Sequence, residues 1–153
     1  MVAQSQQAQK QRYESDYYLW VLETVKQLQN QNLEAIDWEN LIEEISDLGR
    51  REKKKLKSLL RNLWEHLLKF KYWQSEWERN QSHWKGEIRN FRKQIRDELE
   101  ESPSLKNYLH DISAQCYEDA KEIVSDKSEI PLERFPESEI APLEQVLDEN
   151  WLP

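Results

Sequence analysis

The chain has 153 residues, a formal net charge of −8, 37% hydrophobic and 34% charged residues. That length suits one domain able to bury a real core. Seven Trp, six Tyr and three Phe argue against disorder despite the high charge, because aromatics carry large buried area. Two glycines, Gly49 and Gly86, leave no Gly-rich loop to cradle a phosphate. The single cysteine, Cys116, excludes an intrachain disulfide and any CxxC motif. The opening residues contain no apolar run of the secretory kind, and no stretch is apolar enough to span a membrane. A cytoplasmic protein without membrane contact and without a cofactor is expected.

In chain order, the Gln-rich residues 1–12 read as a flexible N-terminus, followed by a single domain over 13–153. Tyr13, Tyr17, Trp20, Val21 and Leu28 recur at helical spacing and predict a first helix, ended by the Asn-rich residues 30–32. Asp37 suits the cap of a second helix. Its apolar positions Leu41, Ile45, Leu48, Leu56, Leu59, Leu63, Leu67 and Phe70 share one stripe at 100° per residue, in phase across Gly49. One long helix to about Tyr72 is predicted. Residues 73–82 read as a connection. Trp84, Ile88, Phe91, Ile95 and Leu99 mark a third helix. Ser102 and Pro103 signal the start of a fourth, carrying Leu105, Leu109, Ile112, Cys116, Ala120 and Ile123. Prolines interrupt the remainder, leaving a short helical turn over 143–148 behind Pro142 and a docked Trp151. No repeat and no period-two pattern occurs. The expected fold is all-α, an antiparallel up-and-down bundle of four main helices with a long second helix.

Several stretches carry a family resemblance: YESDYYLW near the start, LIEEISDLGRREKKKLKSLLRNLWEHLLKF in the middle, SPSL, and FPESEIAPLEQVLDENWLP at the end. In order, from about Tyr13 to Pro153, they resemble the mostly bacterial family called domain of unknown function twenty-nine. The resemblance implies an α-helical up-and-down bundle and brings no established activity and no catalytic residues.

The residues offer three functional readings. Glu43, Glu44 and Asp47 cluster on the second helix, since Asp47 follows the two glutamates by four and three residues. Glu44, Asp47 and His66 are the candidates for a hard-metal site serving an enzyme; the plainer reading is a solvated or ion-paired face. His66 lies in the apolar stripe, 22 residues beyond Glu44, about 33 Å along a continuous helix at 1.5 Å per residue. A Glu-x-x-His di-iron pattern is missing: Leu63, Asn80 and Asn107 stand three residues before His66, His83 and His110. Glu52 also falls in the stripe and would need a cationic partner if buried, which makes it the first place to expect a shifted pKa. Cys116 reads as a small core residue, with a thiol nucleophile beside His110 or His66 the less favoured alternative.

Charge is segregated along the chain. Residues 1–49 carry a net −6, residues 50–96 a net +10 and residues 97–153 a net −12. Arg50, Arg51, Lys53, Lys54, Lys55 and Lys57 head the basic segment, which runs to Arg96 and suits nucleic-acid phosphates, with Trp73, Trp77 and Trp84 as stacking surfaces. The competing reading is neutralisation by the acidic flanks across helix interfaces. The favoured function is a non-enzymatic interaction module that binds a protein partner or itself.

Overall fold

The computed structural model describes residues 2–153, the side chains from Gln4 onward. Among them are six α-helices and no strand: α1 (Val2–Ser15), α2 (Tyr17–Gln29), α3 (Trp38–Tyr72), α4 (Trp77–Glu101), α5 (Leu105–Ser128) and α6 (Leu143–Val146). The fold is all-α; the four main helices read from the periodicity are five, because the first is split, and α6 stands where the short helical turn behind Pro142 is expected. The chain divides into two compact units, Met1–Arg51 and Glu52–Pro153, where the sequence reads as one domain after a flexible start. The boundary falls inside α3, which runs unbroken through Gly49.

The first difference from the periodicity is at the N-terminus. The first helix is two helices, broken at Asp16, whose backbone leaves the helical region and whose carboxylate accepts from the Leu19 N–H to cap α2. The Gln-rich segment extends α1 back to Val2 because Gln9 finds buried partners. Its amide donates to the Trp20 carbonyl and to Thr24 Oγ1, both at 3.0 Å. α2 is capped by Asn30 outside the left-handed region, and the left-handed residue that follows it is Gln31, φ 55°. Asp37 caps α3 as its type predicts, accepting from the Asn40 backbone and side chain and from the Trp20 indole. Among the described residues the unit's buried apolar side chains are Trp20, Ala35 and Ile36.

The second unit holds the large core. Leu56, Leu59, Leu60, Leu63, Trp64, Leu67, Leu68 and Phe70 of α3 form its spine. Contacts run in opposite chain order between α3 and α4: Lys55 with Glu98, His66 with Phe91, Phe70 with Trp77. They run in the same order between α3 and α5: Lys53 with Tyr108, Cys116 with the Lys57 carbonyl, Glu65 with Lys127. α4 is thus antiparallel to α3, and α5 returns parallel to it. α4 begins at Trp77, inside the expected connection, and α5 begins at Leu105, two residues after Pro103, because Pro103 and Ser104 form a turn.

The C-terminal segment closes this core with Phe135, Ala141, Leu143 and Val146. Arg92 fastens it: Nε donates to the Val146 carbonyl and Nη1 to the Trp151 carbonyl, each at 2.8 Å. Tyr117, Oη on the Pro136 carbonyl, adds a second tie. No helix among the described residues is long and apolar enough to cross a membrane.

Candidate functional site

The first unit carries the most unusual surface. On α3 the stripe that is buried from Leu56 to Phe70 continues N-terminally in the same phase, yet Ile42, Ile45 and Leu48 are 61%, 60% and 57% exposed. Their spacing makes that end of α3 read from sequence as core; the structure leaves it bare, with Leu41 half-buried. On α2 the buried face is Trp20 and Thr24, and the opposite face presents Tyr18, Leu22 and Val25 to solvent, with Leu28 at its edge. Of the thirteen exposed large apolar side chains among the described residues, eleven lie in this unit. Scattered exposed leucines are ordinary; here they are concentrated on 51 residues of the chain.

Gly49 lies within that bare stripe. A side chain at Gly49 would meet nothing within 4 Å, and its φ is not positive. Mid-helix glycine costs roughly 0.5–1 kcal/mol relative to alanine, and nothing in the chain's own packing requires it.

Glu44, one of the metal candidates, faces the other way. It accepts from Tyr13 Oη of α1 at 2.6 Å and from Tyr17 Oη of α2 at 2.7 Å, joining three helices. These two hydrogen bonds, Tyr13 first, hold the Glu44 carboxyl below its ordinary pKa. In return the Tyr13 phenol is pushed up to about 12, chiefly by its hydrogen bond to Glu44, and Tyr17 is raised by the same carboxylate. Asp47 and Glu43 share Arg50. His66 belongs to the second unit; its Nδ1–H donates to the Asn62 carbonyl at 2.8 Å and its ring lies 5.2 Å from Phe91. Burial lowers its pKa. Among the described residues no group of three or more His, Cys, Asp or Glu is placed to hold a metal ion.

Glu52 does carry a shifted pKa, for a reason other than burial. It is exposed, and its pKa is raised because it shares a hydrogen bond with Glu98, which Lys55 in turn holds ionised. Burial pushes the Cys116 thiol up to about 11, so it is no thiolate at neutral pH. His110 is drawn to Glu144 instead, at 3.2 Å.

The basic segment is only partly neutralised. Arg50 and Lys55 are ion-paired, and Lys53 lies over the Tyr108 ring. Arg51, Lys54 and Lys57 have no ion-pair partner among the described residues. Arg96 and Lys93 meet Glu149 of the acidic C-terminal segment. Trp73 stacks on buried Trp84, and Trp77 packs on Phe70, so the three rings are engaged with the core.

The model of the family Domain of unknown function DUF29 matches residues 12–152. The chain belongs to that family. No curated protein and no solved structure matches it. The DUF29 match spans both units, so the bare face of the first and the core of the second lie within one family domain.

Proposed function

We propose that this DUF29 chain is a non-enzymatic interaction module that docks a protein through the outer apolar face of its first unit. The observation that carries the reading is the stripe of α3, in core phase but uncovered at Ile42, Ile45 and Leu48. A unit of about fifty residues with three buried apolar side chains gains little from its own core. Covering eleven exposed apolar residues is what a partner would supply. In the same reading the family's antiparallel up-and-down bundle is the scaffold, and the cytoplasm is its compartment, where a lone reduced Cys116 is ordinary.

The test is native size analysis of the chain in lysate of its source cells, wild type against Ile45→Asp. The wild type is expected in a complex larger than the chain alone, and the variant is expected to lose it while keeping its helical circular dichroism. Identical size profiles would reject the reading.

A second reading, nucleic-acid binding through Arg50–Arg96, draws on the unpaired Arg51, Lys54 and Lys57. It predicts oligonucleotide binding that weakens steeply with salt and with Lys54→Glu and Lys57→Glu. Anisotropy titration with labelled DNA and RNA at low and moderate salt checks it; no binding at low salt removes it.

A further inference from the structure

We propose that the second unit binds a small amphipathic monocarboxylate, one carboxylate head on an aliphatic body, in the cavity between α4, the start of α5 and the C-terminal segment.

The cavity holds about 470 Å³, within the range of sites for small organic ligands. Ile95 and Leu99 of α4 and Leu147, the residue after α6, give it apolar walls. Arg92, Arg96 and Lys106 line it together with Glu100 and Glu149. Three cations against two carboxylates leave one positive charge in the lining.

Which cations are engaged decides what the cavity can take. Arg96 meets Glu149 at 3.0 Å, Asp97 at 3.4 Å and Glu100 at 3.9 Å. It therefore uses both carboxylates of the lining. Arg92 has no such partner. The residue is 4% exposed, and its Nε and Nη1 donate to the Val146 and Trp151 carbonyls. Its Nη2 is buried and has no hydrogen-bond partner among the described residues. A buried donor left over is costly, more so on a charged group. Asp148 and Glu149 favour the Arg92 charge through space but make no hydrogen bond to it. Lys106, the other cation, is exposed and has no ion-pair partner among the described residues. It stands in the first turn of α5, which carries no acidic residue and no side-chain cap, so the helix dipole adds to the pull on an anion.

A spare buried guanidinium donor and an unpaired ammonium beside aliphatic walls select the ligand. A carboxylate head supplies the acceptors that Arg92 and Lys106 lack, and a hydrocarbon body covers Ile95, Leu99 and Leu147. A cationic head would be repelled by both groups. A doubly charged phosphate head would add repulsion from Glu100 and Glu149.

The experiment is a titration of the purified full chain with octanoate, followed by calorimetry and by the NMR signal of the Arg92 Nε–H. Saturable binding that shifts this signal is expected. Octylamine has the same body with the opposite charge, and acetate has the same head without the body; each should bind at least about tenfold more weakly. Lys106→Glu, at an exposed position, should weaken octanoate binding about tenfold or more with circular dichroism unchanged. No saturable binding of octanoate, or binding that Lys106→Glu leaves intact, overturns the site. Octylamine or acetate binding as tightly as octanoate overturns the assigned head or body. Octyl phosphate binding more tightly than octanoate overturns the carboxylate.

Discussion

Glu44 illustrates how a single residue can look like a site and serve as a joint. Its carboxylate takes two phenol hydrogen bonds from two other helices, an arrangement in which the carboxylate is stabilised and the phenols resist ionisation. Removing the charge should release them. In Glu44→Gln, Tyr13 is expected to titrate back toward 10 from about 12, read by tyrosinate absorbance; an unchanged titration would refute the joint. The sign for stability follows. A phenol whose folded pKa is raised holds its proton while the unfolded chain loses it, so stability falls as pH rises from about 10 toward 12. His66 works at the other end of the scale. Its folded pKa is lowered by burial against Phe91, so below the ordinary 6.5 the unfolded chain takes up a proton that the folded chain refuses. Its contribution is intact above that pH and declines as pH falls. Denaturant titrations should show that decline in the wild type and a flatter profile in His66→Gln. The burial of His66 was legible from its place in the apolar stripe, but the role of Glu44 was not. The Tyr13–Glu44 contact joins residues 31 apart, and tyrosine four residues before Tyr17 reads equally well as core.

At the scale of the element, α3 shows what periodicity can and cannot report. Its phase, its Asp37 cap and its passage through Gly49 were legible, because the 3.6-residue repeat and the cap are local properties. Which part of the stripe is covered was not legible, since covering depends on other helices. Leu56 and Ile45 have the same phase, and one is fully buried while the other is 60% exposed. The break at Asp16 was missed for a related reason: Tyr13, Tyr17 and Trp20 keep helical spacing on both sides of it, and their rings do cluster, at 5.1 and 5.8 Å from Trp20. Gly49 gives the element its own prediction. Since nothing meets a Cβ there, Gly49→Ala should stabilise the isolated chain by roughly 0.5–1 kcal/mol. Thermal unfolding at low protein concentration, where association is absent, measures it; destabilisation would mean that α3 needs its glycine for itself.

The whole molecule distributes its chemistry unevenly. The second unit carries the core, and the C-terminal segment is held there by Arg92, a buried cation whose direct partners are carbonyls. Arg92→Met keeps the bulk and leaves two carbonyls without donors, at a cost of about 1–3 kcal/mol each; urea unfolding monitored by Trp fluorescence should shift accordingly, and an unchanged midpoint would show that the latch contributes nothing. The first unit carries the apolar surface instead. Charge segregation read from sequence finds partial expression in Lys55–Glu98 and Arg96–Glu149. The most direct measurement of the docking reading proposed for that surface is the native size of the chain in lysate of its source cells, wild type against Ile45→Asp. A complex larger than the chain alone, lost in the variant while its helical circular dichroism is kept, is the expected result. Identical size profiles for the two chains would contradict it.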